Sequence, residues 1–398
     1  MTVKGAVACA TIVVVGAWCS HVAAGPLTPP AGAPESTDKP LVEVEPRIVI
    51  NEANTPGDAD SRYRITQSGS YYLVRNEPIA GVRHGIEIAA SDVTIDLMGF
   101  TLLSSNPLPI GSPPISLDGI TLDGDASNIT VRNGTIRGFG EDGIDLPADD
   151  TRFEDLLLIE NEGDGLRAGG GSVMLRCESV ANGGFGFFAQ NEALVVNCKA
   201  TSNAGAGFGL GGGYTQVLDS TAQFNGGVGF AVGFNSRVAQ SSAIGNTIGF
   251  GIGSASMLTD SDASFNSEWG IQATESFVDQ GSFIERCMVT GPGILVQGQC
   301  VVRDCVVGNT MGDGIRVNGQ NSRIEGNHVF EAQTAFNVNT TGNLIIRNSA
   351  FDSTTTYSIA SGNRYGAIVD LSGSAPAVSG APAPSVLGTT DPWANFAR

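Results

Sequence analysis

A glycine followed by Ile, Leu or Phe returns about every 22 residues through most of this chain. It falls at Gly85, Gly119, Gly143, Gly165, Gly186, Gly207, Gly229, Gly251, Gly270, Gly293 and Gly314, with Ala335 taking the place in one more unit. From Gly119 to Ala335 ten steps cover 216 residues, a mean of 21.6. Asn commonly stands four residues ahead of the glycine, at Asn161, Asn182, Asn203, Asn225 and Asn266, with looser spacing at Asn246 and Asn309. A period of this length with Asn and Gly at fixed offsets describes a coil that turns a corner once per repeat and stacks on its neighbours.

Composition decides what the coils are made of. Of 398 residues 54 are Gly and only 15% are charged, and Lys occurs just at Lys4, Lys39 and Lys199. Surface helices draw on the residues missing here and exclude Gly, so the chain is expected to be mostly β. A leucine-rich repeat shares the period but needs several Leu per unit, where these units hold one or two mixed aliphatics. Short alternating runs, such as Ile144 with Leu146 and Ile315 with Val317, instead fit three short strands per turn. The expectation is an all-β, single-stranded parallel β-helix of about 12 coils. Its alternation points Phe187, Phe208 and Phe230 inward, stacked near the strand spacing of about 4.8 Å.

Flanking segments divide the chain. Residues 1–24, with Lys4, an apolar stretch from Gly5 and Val22-Ala23-Ala24 ahead of Gly25, are expected to be a secretory signal. Residues 25–46 are Pro- and Ala-rich and read as a linker; the β-helix is placed at 47–371, with Tyr63 to Leu73 as its N-terminal cap, and 372–398 as a flexible tail with an aromatic tip at Trp393 and Phe396. The Pro-rich stretch Ser104 to Ser116 reads as a loop thrown out between coils. No stretch after the signal is long and apolar enough to span a membrane. The localisation expected is secreted or cell-surface.

Aligning a second strand of each unit stacks Asn133, Cys177, Cys198, Ser220, Ser241, Ser261, Cys287, Cys305, Asn327 and Asn348, a column of hydrogen-bonding side chains. Cys177 with Cys198, and Cys287 with Cys305, then lie on adjacent coils, within Cα reach of a disulfide but with Cβ atoms wider apart than one prefers, so both oxidised and buried-thiol states are open.

A net charge of −19 with no basic tract excludes nucleic acid as the natural partner and disfavours unaided binding of polyanions. An extracellular polysaccharide or cell-surface component, neutral or metal-bridged, is the partner expected. Asp118, Asp142 and Asp164 each precede an opener glycine and stack on one edge, where a Ca²⁺ would relieve their repulsion; solvated turn acids are the plainer reading of the same pattern. Asp145 beside Arg167 is the one acid and base pairing, and an ion pair is its plainer reading. The middle coils turn Gly209, Ala231 and Gly253 outward, a smooth strip on which Phe188, Tyr214 and Phe234 are candidate glycan contacts. His84 opens the first coil and is expected to serve a turn or cap.

The run His84-Gly85-Ile86-Glu87-Ile88, continuing through Asp92-Val93-Thr94-Ile95-Asp96-Leu97, with Asn133-Gly134-Thr135 and the closing Pro392-Trp393-Ala394-Asn395, resembles secreted bacterial β-helix repeat proteins of unassigned activity. These sit in the pectin-lyase-like superfamily of right-handed parallel β-helices, and the likeness covers roughly residues 47 to 396. It implies the fold and, more loosely, an association with polysaccharides, since the superfamily holds lyases, hydrolases, epimerases and tail-spike or adhesin-like binders. The Gly-His-Gly and Arg-Ile-Lys tripeptides of the polygalacturonase-like hydrolases and the Asp-Pro-His of alginate epimerases do not occur in this sequence. The function expected is therefore a non-catalytic glycan-binding or cell-surface scaffold protein, with a Ca²⁺-assisted polysaccharide lyase built on Asp142, Asp145, Asp164 and Arg167 as the alternative.

Overall fold

The computed structural model describes residues 45–105, 117–274, 281–372 and 389–398. The expected signal peptide, nearly all of the linker, most of the expected loop and the greater part of the tail lie outside them.

One turn shows how the sequence makes the coil. Phe208–Leu210 is the opener strand, Gln216–Leu218 the second and Thr221–Gln223 the third. Three corners join them, and each is entered by a residue in the left-handed region: Tyr214 at φ 61°, Asp219 at 51° and Phe224 at 53°. The same three places recur up the molecule, for instance Arg176, Asn197, Gln240 and Asp260 at the second corner. A left-handed residue bends the chain sharply within one position, which lets strands of three residues meet at corners. Every strand pairs in parallel with its counterpart one turn later, and the described strands form a single continuous parallel β-solenoid of about 14 turns spaced about 22 residues apart.

Two turns more than expected arise at the ends. The stretch expected to cap the first coil is itself a coil: Ser61–Ile65 pairs with His84–Ile88, and Gly69–Tyr72 with Val93–Asp96. It alternates in full, with Arg62 and Arg64 between buried Ser61, Tyr63 and Ile65, but no Gly-Ile pair opens it. Ile48–Val49, which pairs with Tyr71 and Tyr72, closes that end instead. At the other end Asn395–Ala397 is a strand pairing with both Ser349–Phe351 and Ile368–Asp370. Trp393 holds it there, stacked 4.2 Å from the Arg347 guanidinium.

The opener glycines have a steric cause. A Cβ at Gly207 would lie 2.8 Å from both Asn225 Nδ2 and the Gly229 carbonyl oxygen, and one at Gly186 2.6 Å from the Gly207 oxygen. The turn above passes too close for any side chain. Asn225 is there because it belongs to a ladder of buried amides at the third corner. Asn161, Asn182, Asn203, Asn225 and Asn246 each donate from Nδ2 to the next Oδ1, ending at Asn266, at 2.9, 2.9, 3.0, 3.0 and 3.2 Å. Each Oδ1 also accepts the backbone N–H of the residue one turn below, as in Asn182 N to Asn203 at 3.1 Å. The ladder satisfies polar groups that burial would otherwise leave unpaired.

A second ladder runs through Cys198, Ser220, Ser241 and Ser261 and, higher up, Cys305, Asn327, Asn348 and Asn395. The alignment that placed Asn133 in this column is one residue off. Gly134, Leu156 and Cys177 share a register, so Asn133 occupies the left-handed place ahead of it, at φ 60°. Cys177, Cys198, Cys287 and Cys305 are buried free thiols that donate to backbone carbonyls, as Cys198 Sγ does to Met174 O at 3.4 Å. In the core Phe187, Phe208, Phe230 and Phe250 stack with ring centroids 5.1, 4.7 and 5.1 Å apart, all fully buried. Phe250 pairs with Phe230, so the opener of that turn is Gly249 rather than Gly251.

Replacing Asn203 by Ala removes the acceptor of two Asn182 donors and the donor to Ser179 O, and is expected to cost about 2–4 kcal/mol. Phe208→Ala is expected to cost about 3–5 kcal/mol, against less than about 0.5 for the exposed Gln190→Ala. Urea denaturation of the three variants checks both; equal midpoints would contradict the assigned stacking.

Candidate functional site

The opener strands present one side chain per turn outward between two buried neighbours. In register this outward column reads Arg64, Glu87, Thr121, Asp145, Arg167, Phe188, Gly209, Ala231, Gly251, Gln272, Leu295, Arg316, Asn337 and Ser358. The smooth strip is therefore Gly209, Ala231 and Gly251. Gly253 is two residues further along its turn, displaced by the same two-residue shortening, from Phe230 to Phe250 against Phe208 to Phe230, that makes Gly249 the opener.

The position just before each opener glycine forms a second column alongside. His84, Asp118, Asp142 and Asp164 begin it, and each side chain accepts the backbone N–H of the next member. Asp118 N donates to His84 Nδ1 at 3.0 Å, Asp142 N to Asp118 Oδ1 at 3.0 Å, Asp164 N to Asp142 Oδ1 at 2.6 Å, and Phe185 N to Asp164 Oδ1 at 2.6 Å. All three carboxylates are buried. His84 thus does in the first turn what Asp does in the next three. The outer oxygens meet a cation of the chain itself: Arg167 Nε lies 3.4 Å from Asp164 Oδ2 and 4.0 Å from Asp142 Oδ2. The three stacked acids are thereby engaged as backbone acceptors, with Asp142 and Asp164 also partners of Arg167 and Asp118 Oδ2 lying 3.4 Å from His84 Nδ1. Among the described residues the carboxylates whose oxygens do converge within 4.8 Å are Asp58, Asp60 and Glu87, with Arg64 bonded to Asp58 at 2.8 Å and also to Glu87.

Asp145 and Arg167 are direct neighbours in register, yet the guanidinium turns toward Asp164 and Asp142 and lies over the Phe188 ring, 4.9 Å from its centroid. Asp145 Oδ1 is left buried without a hydrogen-bond partner. Burial raises the Asp145 carboxyl above its ordinary value, with the Asp118 charge adding to this and Arg167 opposing it. Burial pushes Asp142 further, to about 7, against the pull of the N–H bond from Asp164 and with Asp164, Asp118 and Asp145 adding repulsion.

Beyond Asp164 the same column turns apolar: Phe185, Ala206, Val228, Ile248 and Trp269. This ridge borders the strip. The Phe185 ring lies where a Cβ on Gly209 would meet it at 3.1 Å, and Val228 stands 3.5 Å from the same point on Gly251. Phe185 also packs 5.8 Å from Phe188. Half-buried Phe185 and Phe188, with Arg167 stacked on one end, make an aromatic platform at the head of a bare backbone strip. Phe185 escaped the sequence reading because it stands where earlier turns carry Asp; the run Phe185-Gly186-Phe187-Phe188 was the available signal. Tyr214 and Phe234 form a separate edge-on pair, 5.4 Å apart, at the corner beyond Gly213.

The family description "Right handed beta helix region" matches residues 64–225 and 118–275, together more than half of the chain. The chain belongs to the right-handed β-helix family. No curated protein sequence matches it significantly. Among solved structures this β-helix protein is similar to the Dettilon tailspike protein, with 13% identity, TM-score 0.39, and 74% of this chain and 60% of that one covered. It is similar also to the A-module of the Azotobacter vinelandii mannuronan C-5 epimerase AlgE4, with 14% identity, TM-score 0.38, and 80% and 87% covered. For the pectate lyase Pel9A the values are 14%, 0.31, 77% and 72%. The chain spans 60% of the length of the tailspike. Among the described residues no helix is long and apolar enough to cross a membrane.

The state of Asp142 has a measurable consequence. Its folded value near 7 exceeds the unfolded 3.8, so the folded protein holds this proton more tightly, and the resulting stability is present below pH 3.8 and lost as pH rises through 7. Asp142→Asn keeps an acceptor for Asp164 N–H and carries no charge. The variant is expected to match the wild type at pH 4 and exceed it by about 1–2 kcal/mol at pH 8, read as thermal midpoints across that range. Parallel curves would contradict the assignment.

Proposed function

We propose that this β-helix protein binds an extended neutral polysaccharide lengthwise on the outer face of its opener strands. The observation carrying this reading is the backbone strip at Gly209, Ala231 and Gly251, bordered by the ridge from Phe185 to Ile248 and headed by the Phe185 and Phe188 rings. Sugar rings present apolar C–H faces that stack on aromatic side chains and hydroxyl edges that need hydrogen bonds. The platform supplies the first, while Arg167 donors and the unpartnered Asp145 Oδ1 supply the second. A repeat of one rung per turn suits a ligand that is itself periodic. The charge of −19 and the acids at the head of the strip favour a neutral chain over a uronate.

Binding without turnover is part of this reading. The inner oxygens of Asp118, Asp142 and Asp164 are spent on backbone N–H groups; the outer oxygen of Asp118 faces His84, and those of Asp142 and Asp164 face Arg167, which supplies the positive charge that a Ca²⁺ would bring to a lyase site. Export through the N-terminal 24 residues and a role at the cell surface complete the proposal, with Tyr214 and Phe234 as a secondary contact at the strip's edge.

Affinity electrophoresis in gels holding cellulose derivatives, xylan, glucomannan or β-glucan tests it. One of these is expected to retard the protein, with retardation unchanged by EDTA and reduced at least about tenfold by Phe185→Ala with Phe188→Ala, given the usual share of binding energy carried by aromatic contacts. Retardation that needs Ca²⁺ and disappears with Asp142→Ala would favour the lyase alternative. Equal retardation of wild type and the double variant would refute the platform.

A further inference from the structure

The third corner is built to one length almost everywhere. From its left-handed residue to the opener glycine it runs Phe224 to Gly229, Phe265 to Gly270 and Asn309 to Gly314. In one turn it runs only from Gly291, φ 96°, to Gly293, three residues shorter. Pro292 stands opposite Trp269 in the place just before the opener, so this turn has no counterpart of Asn266, Ser267 or Glu268 and no amide to continue the ladder. The Asn ladder stops at Asn266, and the corner lacks most of one rung.

The missing rung leaves a notch of about 840 Å³. Its floor is Gly291, Pro292 and Gly293; one wall is Phe265 to Trp269 and the other Asn309 to Asp313, with Arg316 at the mouth. The gap is one strand spacing thick, about 4.8 Å, which admits a flat ring and is too thin for a helix about 10 Å across. Trp269 is the last member of the ridge that starts at Phe185, four rungs or about 19 Å away, so notch and strip are continuous. Polar groups converge there as well. Asp313 Oδ2 accepts from Asn337 Nδ2 at 2.8 Å and stands 3.7 Å from Arg316 Nε, a buried atom with no hydrogen-bond partner. Asp313 and Arg316 repeat at this end of the strip the pairing of Asp164 and Arg167 at its head.

We infer that this notch is a terminal subsite, taking a single neutral pyranose ring of the glycan between the Phe265–Trp269 wall and Met311, with Arg316 and Asp313 meeting its hydroxyls. The inference rests on the glycan-binding reading above and adds the place where the polymer turns off the strip into the corner. A volume within the range of about 300–1,000 Å³ common to small-ligand sites, apolar walls and a few convergent polar groups fit that occupant.

Calorimetric titration of the full chain with cellohexaose, xylohexaose and mannohexaose separates the two sites. Three variants are compared with wild type: Trp269→Ala, the strip variant Phe188→Ala, and a filled notch in which Asn-Ser-Glu is inserted after Gly291 to restore the corner's usual length. Circular dichroism and melting confirm folding, and where the insertion is unstable Trp269→Ala alone reads the notch, with Trp269→Phe as its conservative control. The hexaose that binds wild type is expected to bind the filled notch and Trp269→Ala at least about tenfold more weakly, with Trp269→Phe largely restoring affinity. Wild-type affinity in both the filled notch and Trp269→Ala would overturn the notch while leaving the strip, if Phe188→Ala still weakens binding. Loss confined to the notch variants would uphold the notch and overturn the strip. No binding of any hexaose to wild type would overturn both.

Discussion

Everything in this molecule depends on a hydrogen bond that reaches from one turn to the next at a corner. Asn182, Asn203 and Asn225 each accept from the turn beneath and donate to the turn above, and the amide can be buried only because its neighbour at the opener position has no side chain. The glycine, the asparagine and the left-handed residue ahead of it are therefore one device. Their joint spacing fixes the length of the turn. The stacked phenylalanines inside and the outward column outside follow from the register that the device imposes, because a shift of one residue would exchange the two faces.

The same device explains where a ligand can lie. Wherever the ladder is intact, the outer surface near the corner is closed and the outward side chains are free to vary, from Asp145 and Arg167 in early turns to Gly209, Ala231 and Gly251 in the middle. Where it fails, at Pro292, the corner opens. The early acids illustrate a competing use of the position before the glycine. Asp142 caps the next turn as an amide would, but as a carboxyl displaced to about 7 it titrates where an amide cannot.

Much of this was legible from residue spacing alone: the β-solenoid, its period, the inward Phe187, Phe208 and Phe230, the recurrence of Asn161 to Asn266 at a corner, and the placement of Asp118, Asp142 and Asp164 on one edge. The errors came where the period drifts. A turn two residues shorter than the one before it moves the opener from Gly251 to Gly249 and the strip from Gly253 to Gly251, and Asn133 stands one place ahead of Gly134, which holds the column position. Ser61–Ile65 forms a full first turn without the glycine signature, so the spacing alone points to a cap there. Side-chain direction was out of reach altogether. Nothing in the order of residues says that Arg167 turns to Asp164 over Phe188 instead of meeting Asp145, or that Phe185 leans over Gly209.

A crystal of the protein soaked with a neutral hexasaccharide tests the central claim most directly. The account predicts density for consecutive sugar rings running along the axis over Gly209, Ala231 and Gly251, with one ring stacked on Phe188. Density confined to another face, or rings crossing the turns instead of following them, would contradict it.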